Sequence, residues 1–230
     1  MEAFHNDPLI KEYYFTRLNK HYQADEIIQG KYWENGKGCA VGCTIHSYIH
    51  SKYESELGIP EDIAHLQDII FEGLPNKLAK QFPLEFLSSI NVGADLKNVK
   101  NLFTIWVLTD SKYGVIKYAD NKKIVQDIAD AFSRDMVTPV SVEEWEELRK
   151  NATVSSYSAF HASIAASYSG SYYAAAAVSA AAAACSAACY QLFRAADCTW
   201  FANVVLMKTA KSKWYIAASN KLIELLKNSK

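Results

Sequence analysis

Pro60-Glu61-Asp62-Ile63-Ala64-His65-Leu66-Gln67-Asp68-Ile69-Ile70-Phe71-Glu72-Gly73 reads as one complete helix. Proline opens it at the first turn, and Ile63, Leu66, Ile69 and Ile70 recur on one side at helical spacing. Gly73 supplies the stop. The same punctuation extends in both directions along the chain. Asp7-Pro8 is an N-cap followed by proline, and Leu9, Ile10, Tyr13, Tyr14 and Leu18 carry the period towards Gly30. A helix is expected from about Cys39 to Leu57, stopped by Gly58. The stretch from Leu78 to Ile90 holds Pro83 and reads as two helical turns meeting at a bend. Asp95 can cap a helix bearing Val99, Leu102, Phe103 and Trp106, and Ile124, Ile128, Ala131 and Phe132 mark the next. Pro139 and the capping box Ser141-Val142-Glu143-Glu144 start a helix that can run to Gly170. A second then runs towards Trp200 and a last one to about Leu226. Strand signals are confined to Thr104–Leu108, whose flanks keep helical period, and to the short alternation Tyr113–Tyr118. The sequence predicts an all-α bundle of about eight helices, with at most a short hairpin near Tyr113–Tyr118. Residues 1–138 form an N-terminal helical region, and 139–230 a region of long alanine-rich helices packed with it as one unit.

Composition narrows the function classes. A chain of 230 residues, half of them hydrophobic and 21% charged, buries a core without staples. Net charge is −1, so the surface as a whole does not attract nucleic acid. The charge is uneven: from Arg194 to Lys230 seven Lys/Arg face two acids, while residues 1–150 carry −6. Lysines spread along a helix are normally its wet face, and nucleic acid is not the expected partner. The start Met1-Glu2-Ala3-Phe4-His5-Asn6-Asp7 lacks the basic and apolar regions of a secretory leader. With five cysteines, an odd number, the thiols are expected to be reduced and the protein cytoplasmic.

Between Ala152 and Thr199, 18 of 48 residues are alanine, interleaved with Ser and Tyr. Alanine is near neutral for membrane insertion and the Ser and Tyr oppose it, so no membrane span is expected. High helix propensity and small side chains instead suit close helix packing, with Ala176 and Ala180 at such a contact. The packing partner is another helix of this chain or, alternatively, a second copy or a partner protein.

The densest chemistry is Gly36-Lys37-Gly38-Cys39-Ala40-Val41-Gly42-Cys43-Thr44-Ile45-His46-Ser47-Tyr48-Ile49-His50. On one continuous helix, Cys39, Cys43, His46 and His50 share a stripe beside the apolar face of Val41, Ile45 and Ile49. Cys43, His46 and His50 make a candidate metal set, and thiolate plus imidazole suits a zinc-like ion. Alternatively, Cys39 behind Gly36-Lys37-Gly38 at a helix start is a candidate thiolate, and Cys43 with His46 a candidate nucleophile and base. Gly36, Lys37 and Gly38 also make a weak phosphate-type loop. A purely structural stripe stands beside both. Cys185 and Cys189 form a second C-x3-C pair. His65 with Glu61, Asp68 and Glu72 reads as a solvated helix face, and His5, His21 and His161 stand alone.

Gly36 to Cys43, Leu57-Gly58-Ile59-Pro60, Ile70-Phe71-Glu72-Gly73-Leu74-Pro75-Asn76, Gly93-Ala94-Asp95-Leu96 and Lys221 to Leu226 together resemble a family of bacterial and tailed-phage or prophage proteins of unknown function. Its members also carry an alanine-rich stretch before the final helix. The resemblance implies a phage or mobile-element setting and brings no activity, cofactor or catalytic residue. The expected function is binding of a protein or ligand, with assembly into a homo-oligomer as an option. The alternative is a small metal- or thiol-dependent, hydrolase-like enzyme using the Cys39–His50 face.

Overall fold

A computed structural model describes residues 2–117, 121–154 and 200–230. The fold is all-α: nine α-helices and one two-stranded ladder among the described residues. The helices are α1 (Pro8–Gln23), α2 (Ala40–Ile45), α3 (Lys52–Leu57), α4 (Glu61–Gly73), α5 (Asn76–Ser89), α6 (Val99–Thr109), α7 (Lys122–Asp135), α8 (Val142–Val154) and α9 (Trp200–Asn228). The chain divides into two compact units, Met1–Lys100 with Ala218–Lys230, and Asn101–Ala217. That division differs from one at residue 138. No described helix is long and apolar enough to cross a membrane.

In the first unit α1 packs on α2 and α5, and α4 packs on the same two helices. The core they close contains Leu18, Val41, Tyr53, Leu57, Ile63, Leu66, Ile70, Phe71 and Phe86, all fully buried. Ala218, Leu222 and Leu226 of α9 are buried as well. Asp7 caps α1 by accepting from the Leu9 amide at 2.8 Å, with Pro8 behind it as expected. The helix ends at Gln23, well short of Gly30. Gly58 is left-handed, φ 63°, and closes α3, and Pro60 precedes α4. Two expectations fail here. Pro83 lies inside a single α5 with no break, because Phe82, Pro83 and Phe86 are all buried and packing holds the helix together across the missing amide. The helix expected from Cys39 to Leu57 is two helices with an intervening turn.

The hairpin also lies elsewhere than expected. Val115–Lys117 is a 3-10 turn, whereas Trp33–Glu34 (β1) and Lys37–Gly38 (β2) pair antiparallel. Asn35 and Gly36 connect them with φ of 51° and 80°, the two left-handed positions of a tight hairpin turn.

In the second unit Phe103, Val107, Val125, Ile128, Phe132 and Trp145 are buried. Trp214 is fully buried, and its indole N–H donates to the Tyr113 carbonyl at 3.2 Å. Ser141 accepts from the Glu144 amide at 3.2 Å, as the capping box predicts. The alanine-rich stretch, with Ala176, Ala180, Cys185 and Cys189, lies outside the described residues.

Candidate functional site

The local sequence explains why the Cys39–His50 stripe is not one helix. Ser47 accepts from the Ile49 amide at 3.2 Å, a serine turn that competes with helix continuation. His46 itself adopts the left-handed conformation, φ 51° and ψ 40°, and terminates α2. Its ring is taken up by groups distant in sequence. It stacks on Trp33, centroids 4.5 Å apart and planes within 10°, and its Nε2 lies 2.8 Å from Nε2 of His21. His50 goes elsewhere, stacking on His65 at 4.1 Å with its Nε2 3.4 Å from Asp68 Oδ2. Cys43, His46 and His50 therefore do not form one ligand set, and no three His, Cys, Asp or Glu among the described residues do.

The thiols are not poised for nucleophilic attack. Cys39 caps α2 by accepting from the Gly42 amide at 3.4 Å, and Cys43 donates to the carbonyls of Gly38 and Glu26. Burial pushes the Cys43 thiol up to about 12, and burial with nearby Asp68 pushes Cys39 higher still, opposite to the thiolate expected beside Lys37. The Gly36-Lys37-Gly38 run serves the hairpin: Gly36 makes the turn, Lys37 lies in β2, and Gly38 lies against the Tyr32 backbone.

Two polar clusters emerge instead. The first is open. His21, on the last turn of α1, has Nδ1 2.7 Å from Glu26 Oε2 and Nε2 on His46. A carboxylate only accepts, so His21 donates from Nδ1; with both rings neutral, His21 then accepts at Nε2 and His46 is the donor between the rings. His46 is held below the ordinary imidazole pKa by burial, then by Arg17 and His21. This chain ends at one side of a cleft of about 870 Å³ that runs along α1, lined by Leu9, Tyr13, Arg17, Lys20, His21 and His46 among others. Arg17 donates to the Thr44 carbonyl at 3.2 Å and to the Tyr13 hydroxyl, and its guanidinium lies 4.6 Å from the Tyr13 ring centroid. Leu9 and Tyr13 are 69% and 57% exposed.

The second cluster is closed. The Tyr53 hydroxyl donates to Gln67 Oε1 at 2.8 Å, while Gln67 Nε2, Asp68 Oδ1 and His50 Nε2 are buried without hydrogen-bond partners. His65 lies 3.6 Å from Glu61 and is held below the usual imidazole pKa by burial, then by His50. Of the α4 face expected to be solvated, His65 and Asp68 are half-buried against His50, whereas Glu72 is exposed. His21, Glu26, Trp33 and Arg17 were not legible as site residues. The Asn-Gly dipeptide at 35–36 is the one local signal that could have found their neighbourhood, since a tight turn there brings Trp33 back opposite Gly38. Compared with family models, curated proteins and solved structures, this chain has no match.

Proposed function

We propose that the protein works by binding, and that the cleft along α1 receives a segment of a partner protein. The observation that carries this reading is the cleft's composition. Tyr13 and Arg17 stand half-exposed beside Leu9, next to an imidazole chain fixed by Glu26 and Trp33. Tyr, Trp and Arg are the side chains that carry most protein–protein binding energy, and a surface locked by internal hydrogen bonds loses little entropy on docking. The thiol-enzyme alternative is weakened by the raised pKa of both thiols.

Reduced, buried Cys39 and Cys43 fit a cytoplasmic setting. The phage or mobile-element setting rests on the resemblance of the quoted phrases, and a second copy of the chain is one form the partner can take.

Selection of a displayed random-peptide library tests the reading. Enriched peptides should bind the wild type and lose at least tenfold in affinity on the Tyr13→Ala and Arg17→Ala variants. Peptides that bind both variants as well as wild type would place docking elsewhere.

A further inference from the structure

We propose that His21 and His46 form a two-imidazole site for a borderline divalent transition-metal ion, its remaining positions filled by water. The site shares the cleft described above but does not depend on a partner docking there.

Three observations converge on this pair. The two Nε2 atoms point at each other at 2.8 Å, from a helix end and a helix cap that lie 25 positions apart in the chain. Two nitrogens bound to one tetrahedral ion at 2.0–2.1 Å would stand about 3.3 Å apart. Moving the His46 proton from Nε2 to Nδ1 frees the second lone pair, and a separation larger by about half an ångström then admits the ion. Glu26 stands behind His21 at 2.7 Å, the outer carboxylate that metal-ligating imidazoles typically hold on the nitrogen away from the ion. It keeps the proton on Nδ1 and leaves the Nε2 lone pair aimed at His46.

His46 supplies the third observation. At φ 51° it sits in the left-handed region that non-glycine residues disfavour. That backbone, together with Trp33 stacked within 10°, fixes the direction of the ring towards His21. His50 and His65 provide the internal contrast, since they meet face to face at 4.1 Å rather than nitrogen to nitrogen. Imidazole pairs select zinc-, nickel- or copper-like ions over magnesium or calcium.

Titration calorimetry of the untagged full chain with Zn2+ alone is the test, with Mg2+ and Ca2+ as the other arms. The expected result is one Zn2+ site, no Mg2+ or Ca2+ heat, and at least tenfold weaker Zn2+ binding in His21→Ala and in His46→Gly. Glu26→Gln should weaken it by about 10–100-fold, and Cys43→Ala and His50→Ala should bind as wild type. Glycine keeps the left-handed backbone at position 46, so that variant retains the fold, which circular dichroism checks. As a second readout, Ni2+ should quench an emission component that Trp33→Phe removes. Zn2+ binding unchanged in His21→Ala, or lost in Cys43→Ala or His50→Ala, would overturn the site, as would no Zn2+ heat at all. A failed peptide selection would leave this result intact, and absent Zn2+ binding would leave the docking reading intact.

Discussion

Gly42 passes so close beneath Tyr32 that a Cβ on residue 42 would stand 1.8 Å from the Tyr32 carbonyl oxygen. The obstacle is backbone and cannot swing aside. Gly42→Ala should therefore push α2 away from the segment before β1 and cost about 1–3 kcal/mol. Gly36→Ala meets no atom within 4 Å and carries only the penalty of its left-handed turn, about 1 kcal/mol. Thermal melts of the two variants should rank Gly42→Ala as the less stable. Equal melting temperatures would show that α2 yields.

At His46 the expected order reverses the usual one. Both His46→Gly and His46→Ala lose the Trp33 stack and the His21 hydrogen bond. Only glycine suits φ 51°, so it should be the more stable variant by about 1 kcal/mol. Chemical denaturation of the pair checks this, and a more stable alanine variant would mean that residue 46 leaves the left-handed region.

The buried thiols predict an alkaline weakness. A thiol raised from 9.0 to about 12 keeps its proton in the fold while the unfolded chain gives it up. The unfolded state then binds fewer protons above pH 9, and stability falls from there towards pH 12. Cys43→Ala should flatten that decline, at the cost of a small packing loss at neutral pH. For the same reason Cys43 should resist alkylation at pH 8 until the protein unfolds; rapid labelling of native protein would contradict the burial argument.

His65 predicts the acid counterpart. Its folded pKa is depressed, so below the ordinary value of 6.5 the unfolded chain takes up the proton more readily. Stability conferred by the neutral ring is complete above pH 6.5 and is lost as pH falls below it. Melting curves between pH 7.5 and about 5 should fall less steeply in His65→Gln than in the wild type.

What the sequence revealed was local, and what it concealed was made by contacts between distant segments. Pro60, Gly58, Asp7-Pro8 and Ser141 act within one helical turn, and each does in the structure what its chemistry requires. Pro83 misled because burial of its neighbours outweighs one missing amide. The stripe misled for a similar reason. Cys39, Cys43, His46 and His50 share a face only if the helix continues, and Trp33 and His21 capture the His46 ring where it ends. No spacing rule links residues 21, 33 and 46, so His21 read as isolated. Asn35-Gly36 has the chemistry of a tight hairpin turn, and the two glycines flanking Lys37 serve that hairpin rather than a phosphate loop.

The first unit is discontinuous, and this sets the timing of its assembly. Its core needs Ala218, Leu222 and Leu226, and the Asp95 amide donates to the carbonyl of Lys230 at 2.9 Å. A ribosome delivers residues 1–100 first, then must make the whole of Asn101–Ala217 before the last strip of that core exists. Until then the apolar seats of Leu222 and Leu226 stand open on the nascent chain. Ribosome-bound chains halted before residue 218 should accordingly be protease-sensitive in α1 to α5, and become resistant once the final helix has emerged.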